Sequence, residues 1–308
     1  EEVRIALLVK NLGNAFFEAA RDGAEEAAEE LGNVDLIYQG PSEPTAEGQI
    51  QIIDSLIAQQ VDGIAISAND QDALVPITKK AMRSGVQVIS FDSGIAPEGR
   101  LVHLAPSNSE LIGRSQVRMI AELIDYEGQI AILSASSQAT NQNEWISWMK
   151  EELKKDEYSD MELVSTVYGD DLSDKSYREA QGLFKSYPDL RGIISPTTVG
   201  IAATAKAIQD AGLVDEVELT GLGLPSEMKQ YIKSGVCEQM ALWNPIDLGY
   251  AATYITYRFI NGNASAEPGS TIDAGRIGEL EVAENGNMVL GEPFVFNEEN
   301  IDKYAELF

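Results

Sequence analysis

Polar side chains follow almost every apolar run in this sequence. Lys10, Asn11 and Asn14 come after Ile5-Ala6-Leu7-Leu8-Val9. Ser67 and Asn69 follow Gly63-Ile64-Ala65-Ile66, and Asp92 and Ser93 follow Val88-Ile89-Ser90-Phe91. Further on come Ser134 with Thr140-Asn141-Gln142-Asn143, then Pro196, Thr197 and Thr198, then Gly223, and finally Asn244 and Asp247. Nearly all are amides, hydroxyls or single charges, with Phe16, Phe17, Trp145 and Trp243 near them in sequence. Neutral donors and acceptors among aromatic faces suit a small polyol: hydrogen bonds for its hydroxyls, flat rings for its C–H surfaces. Each of these polar residues taken alone also fits a turn or a helix cap, and Phe16 and Phe17 also fit plain core packing. The signal is their joint placement.

Catalytic patterns are missing. No Gly-x-Gly-x-x-Gly follows the first strand, and there is no Walker-type phosphate loop and no Gly-x-Ser-x-Gly elbow. The single histidine, His103, lies in an apolar strand pattern and reads as structural. The single cysteine, Cys237, reads as a small buried hydrophobe. So few Cys and His disfavour a zinc site. Asp170, Asp171 and Asp174 have part of a calcium-loop spacing but lack its turn glycine and terminal glutamate, and helix capping accounts for them better. No enzyme activity, metal or cofactor is expected.

The elements that would position these residues are legible. Five consecutive apolar residues, Ile5 to Val9, indicate a strand buried on both faces. Phe16, Ala20, Ala24, Ala27, Ala28 and Leu31 then recur at helical spacing, with Glu18, Asp22, Glu25, Glu26 and Glu29 on the other face, until Gly32. The alternation of strand and helix continues along the chain, which means βαβ units and parallel sheets. Ligands of such sheets bind beyond the carboxyl ends of the strands, where the polar residues above fall. The pattern restarts after Leu104, giving two α/β lobes. We expect residues 1–104 with 244–283 in one lobe and 105–243 with 284–308 in the other. No Gly/Ser-rich linker separates them, so several direct crossings should form a defined hinge with a ligand cleft between lobes.

Composition sets outer bounds. The 308 residues are 44% hydrophobic and 23% charged, ordinary for a globular protein of two domains. No apolar stretch approaches the ~18 residues of a membrane span. Fifty acidic residues against 22 basic ones give a net charge of −28. Such a surface repels nucleic acid. It fits solubility and, more sharply, a high-salt habitat in which self-repulsion is screened.

The chain resembles, nearly end to end, the type I periplasmic sugar-binding proteins of ABC importers. Autoinducer-2 receptors are similar at Lys10, Asn141-Gln142-Asn143-Glu144-Trp145 and Asn300-Ile301-Asp302-Lys303-Tyr304. Rhamnose-binding proteins are similar over longer runs, among them Val9-Lys10-Asn11-Leu12-Gly13-Asn14, Tyr168 to Tyr177, Pro196 to Gly200, Thr220 to Pro225 and Trp243 to Tyr250. The resemblance implies two Rossmann-like lobes and a receptor that hands a monosaccharide, rhamnose in the first place, to a membrane permease. It further implies a monomer in the periplasm or outside the cell, with or without a lipid anchor. Ligand contacts of the autoinducer-2 receptors match Lys10, Asp92, Asn141, Gln142, Pro196 and Thr198. Those receptors carry an aspartate at the position of Asn141 and an alanine at that of Thr198. The two departures favour a deoxyhexose over autoinducer-2, the same-family alternative. Phe16, Phe17 and Trp243 would pack against the sugar ring, and Asn14, Asn69, Ser93, Gly223 and Asn244 complete the candidate set. A LacI-type effector domain is the alternative of another class; it would need a DNA-reading helix-turn-helix and a basic surface, and this sequence holds neither.

Overall fold

The computed structural model describes every residue from Glu1 to Phe308. The chain begins with β1 (Val3–Leu8), α1 (Ala15–Leu31), β2 (Val34–Gln39), α2 (Ala46–Ala58), β3 (Gly63–Ile66), α3 (Val75–Arg83), β4 (Gln87–Phe91) and β5 (His103–Ala105). It continues with α4 (Ser109–Leu123), β6 (Gly128–Ser134), α5 (Thr140–Glu152), β7 (Met161–Tyr168), α6 (Ser173–Ser186), β8 (Leu190–Ser195), α7 (Thr198–Asp210), β9 (Glu218–Gly221), α8 (Pro225–Lys233) and β10 (Gln239–Leu242). The last part holds α9 (Pro245–Ile260), β11 (Thr271–Asp273), β12 (Glu279–Glu281), β13 (Asn287–Val289), β14 (Phe294–Asn297) and α10 (Ile301–Tyr304). Two compact units result. Unit 1 is Glu1–Asn108, Gln138–Asn141 and Asn244–Glu292; unit 2 is Ser109–Ser137, Gln142–Trp243 and Pro293–Phe308.

Unit 1 is built on a parallel sheet of order β13-β5-β4-β3-β1-β2. β1 is an interior strand next to the edge, pairing Ile5 with Leu36 on one side and with Gly63 on the other. Alternation sends its side chains to both faces. Ala6 and Leu8 join Ile53 and Leu56 of α2, Ala81 of α3 and Ile64, Ile66 and Val88 of the neighbouring strands in one buried cluster. The other face takes α9, which packs on β1, β3 and β4. Helix α1 lies against α9 at very short range. A Cβ on Gly23 would sit 1.8 Å from the Ile246 carbonyl oxygen, and one on Gly249 1.8 Å from that of Ala20. Only glycine lets two backbones approach so closely.

Unit 2 has a parallel sheet of order β7-β6-β8-β9, extended through a parallel bridge between Leu222 and Ala241 to β10. β14 then pairs antiparallel with β10. Helix α4 packs on β8, β9 and β10, and α6 and α7 on β6, β7 and β8.

Three expectations need correction. The tail was expected to leave the first lobe at 283, but β13 pairs in parallel with β5, so the chain stays in unit 1 to Glu292. The first boundary likewise falls after Asn108 rather than 104. At the start of α6 no side chain caps the helix, and the cap residue is Leu172; Asp170 pairs with Lys175 instead, and Asp171 accepts from Thr197. His103 and Cys237 are buried. Ser90 Oγ meets His103 Nδ1 at 2.8 Å, and burial beside Arg100 pushes the imidazole down to about 3, so it stays neutral. Burial pushes the Cys237 thiol up to about 12.

Candidate functional site

In unit 1, one residue ties two strand ends together. Gln49 of α2 is fully buried. Its Nε2 donates to the carbonyls of Val9 (3.1 Å) and Ser67 (2.8 Å), and its Oε1 accepts from Asn69 N–H (2.9 Å). Asn69 in turn donates from Nδ2 to the Lys10 carbonyl (2.9 Å) and the Thr45 carbonyl (3.2 Å). The backbone that carries Lys10 is therefore held from below by a buried, satisfied amide network.

On that frame five of the polar residues singled out above come together. Lys10 Nζ donates to Asn141 Oδ1 at 3.1 Å, and Asn141 Nδ2 donates to Asp92 Oδ1 at 3.2 Å. Ser67 Oγ donates to Asp92 Oδ2 at 2.7 Å, and Lys10 Nζ lies 4.0 Å from the same oxygen. Ser93 Oγ accepts from Asn141 N–H at 3.4 Å. Lys10 is 3% exposed and Asp92 5%, so neither is a solvated surface charge. Burial raises the Asp92 carboxyl above the ordinary aspartate value, while Lys10, Ser67 and Asn141 pull it down. Asp92 also sits at φ 59°, left-handed backbone that a non-glycine residue adopts at a cost and that collects at ligand clamps.

Unit 2 carries a second polar group. Gln142 Oε1 accepts from Ser134 Oγ (2.6 Å) and Ala135 N–H (2.8 Å), at the end of β6. At the end of β8, Pro196 is buried and Thr198 opens α7. Thr197 between them donates from Oγ1 to Asp171 Oδ1. The Trp243 ring packs on Trp145, centroids 5.5 Å apart.

The remaining expected residues also make contacts within the scaffold. Asn14 and Asn244 are helix caps: Asn14 Oδ1 accepts from Phe16 N–H (3.0 Å), and Asn244 Oδ1 from Ile246 N–H (2.9 Å). Phe16 and Phe17 are both buried and meet edge to face at 5.2 Å. Gly223 leaves room for Met240 and Met228, whose atoms would lie 2.5 and 2.9 Å from an added Cβ. Two residues that act at these sites escaped the sequence reading. Gln49 shows there only as a polar position beside the apolar face of a helix, and Asp171 looked like a cap because its partner Thr197 is distant in sequence.

The chemistry on offer is hydrogen bonding. Donors and acceptors alternate around Asp92 and Lys10, the Ser90–His103 pair lies buried between β4 and β5, and no group of three His, Cys, Asp or Glu residues gathers to hold a metal.

The family model of the periplasmic binding protein domain matches residues 5–264. A solved ABC transporter solute-binding protein from Clostridium phytofermentas, with bound L-rhamnose, is 36% identical, with a TM-score of 0.96 over 100% of this chain and 99% of its own. LsrB from Clostridium saccharobutylicum, in complex with AI-2, shares the fold at a TM-score of 0.93 and 24% identity, covering 98% of this chain and 99% of its own. A D-ribose/D-allose-binding protein of Pseudomonas aeruginosa is 26% identical over 246 residues, 76% of this chain and 75% of its own length. These relatives are transport proteins and not enzymes. The chain belongs to the periplasmic binding protein family, as a sugar-binding solute-binding protein of an ABC transporter.

Proposed function

We propose that the sugar is L-rhamnose, received outside the cytoplasm and handed by a monomer to a membrane permease. Lys10, Asp92 and Asn141 supply one set of contacts, and Gln142, the Pro196 carbonyl and Thr198 the other. The observation that carries the reading is the amide at 141. It accepts from Lys10 and donates to Asp92 at once. A carboxylate there, as in the autoinducer-2 receptors the sequence resembles, could only accept. The 36%-identical neighbour with bound L-rhamnose supports the same choice.

Titration calorimetry against L-rhamnose, D-ribose, D-allose and autoinducer-2 tests it. L-rhamnose should bind most tightly and be recovered unchanged. A tighter fit to any of the other three removes the rhamnose assignment, and conversion of the sugar removes the receptor assignment altogether.

A further inference from the structure

Seven non-glycine residues have left-handed backbone: Gln60, Asp92, Asp125, Tyr126, Asp170, Asp171 and Asp215. Gln60, Asp125, Tyr126 and Asp215 lie in turns beyond helix ends. The other three are aspartates that follow the carboxyl ends of parallel strands: Asp92 after β4, and Asp170 with Asp171 after β7. Asp170 turns outward to Lys175. Asp171 turns inward, is 8% exposed, and accepts from Thr197.

The loop that presents Asp171 is tightly held. Gly169 N–H donates to the Ser134 carbonyl (2.9 Å) and Asp170 N–H to that of Ala135 (3.1 Å). Ser134 and Ala135 are the residues that fix Gln142. A Cβ on Gly169 would meet Ser176 Oγ at 2.0 Å, so the loop has no slack there. Asp171 thus joins the Gln142 anchor to the Pro196–Thr198 turn. Two consecutive strained residues persist only where the surroundings over-determine them. The α6 cap does not require them, since Leu172 occupies that position.

We infer that Asp171 is a specificity-determining residue whose carboxylate accepts a hydroxyl of the bound sugar, with Thr197 fixing its orientation. The inference rests on the receptor reading above. An ionised carboxylate only accepts, so the matching ligand position must carry a donor, and a hydroxyl-to-carboxylate bond is stronger than one between neutral groups. Asp171 would do for unit 2 what Asp92 does for unit 1.

The test is calorimetry on the wild type, Asp171→Asn, Asp171→Ser and Thr197→Val with L-rhamnose and its 2-, 3- and 4-deoxy forms. Asparagine keeps an acceptor for Thr197, so the unliganded melting temperature of Asp171→Asn should stay near wild type. Its affinity for L-rhamnose should fall about tenfold or more. One deoxy sugar should bind the wild type about tenfold more weakly than rhamnose, yet bind Asp171→Asn as well as rhamnose does. Thr197→Val should weaken L-rhamnose and the two deoxy forms that keep the partner hydroxyl, and leave the third deoxy form nearly unchanged. Asp171→Ser gives the same readout should the asparagine variant not fold. Wild-type affinity in either Asp171 variant, or the same deoxy penalties as in wild type, overturns the role of Asp171 alone. If D-ribose or D-allose is the sugar taken, the rhamnose reading falls and the variants are scored on that sugar. A wild type that binds only autoinducer-2 overturns the rhamnose reading and this inference, and one that binds none of the four overturns the receptor reading as well.

Discussion

The amide of Asn141 and the carboxylate of Asp92 define each other. Asn141→Asp would place a second acceptor where a donor now stands, 3.2 Å from Asp92 Oδ1. Two ionised carboxylates that close repel, which raises the pH at which one of them takes up a proton. We expect Asn141→Asp to lose L-rhamnose affinity at pH 7.5 by about 1–3 kcal/mol, and to regain part of it near pH 5 as a proton bridges the pair. Calorimetry at the two pH values decides; wild-type affinity at both would refute the arrangement. Asp92 has its own pH signature. Its folded value is raised above the ordinary 3.8, with burial as the largest cause. The native state therefore keeps a proton that the unfolded chain has released. That contribution is fully present below 3.8 and is lost as pH rises through the folded value. Asp92→Asn removes the titration and leaves a constant offset. The wild-type stability minus that of the variant should fall as pH climbs from 3.5. Parallel melting curves for the two proteins across that range would contradict the buried, raised carboxyl.

At the scale of elements, much was readable because a single period repeats. The run Ile5 to Val9 and the spacing of Phe16, Ala20, Ala24 and Ala27 gave β1 and α1 near their observed bounds. Residue type alone did not separate cap from ligand. Asn14 satisfies both descriptions until its Oδ1 is seen to accept from Phe16 N–H. Asn14→Ala should thus cost about 1 kcal/mol of stability through the lost cap. Sugar affinity should hold within about a factor of two, since the helix itself remains. A large affinity loss with unchanged melting temperature would return Asn14 to the ligand-binding set. What stayed illegible was pairing between distant segments. β13 is only three residues long, too short for any period, and its place beside His103–Ala105 is set by the partner strand. Asp171 and Gln49 were hidden for the same reason: their roles lie in groups far along the chain. Lys10 and Asp92 were legible as strand-end residues because each directly follows an apolar run that marks a buried strand.

For the whole molecule the governing quantity is charge. The net charge of −28 is spread over exposed faces such as Glu18, Asp22, Glu25 and Glu29 of α1. Ion pairs offset little of it. Arg21–Glu25 and Lys80–Asp54 are exposed surface pairs, of a class worth about 0–1 kcal/mol each. Added salt weakens those pairs and also screens the repulsion among the unpaired acids. The second effect should win, because unpaired acids far outnumber paired ones. The Debye length falls from about 10 Å at 0.1 M to about 3 Å at 1 M, so most of the relief arrives within that span. We therefore expect the melting temperature to rise with KCl and level off near 1 M. A stabilisation due to salt exclusion from the surface would instead keep climbing. Sugar binding should respond differently. Lys10, Asp92 and Asp171 are buried, where screening reaches them weakly, and the other proposed contacts are neutral. Affinity should stay nearly flat over the same titration. A melting temperature that is flat or falls with KCl would mean that the acidic surface carries no self-repulsion large enough to matter. An affinity that falls steeply with salt would place exposed charges among the ligand contacts.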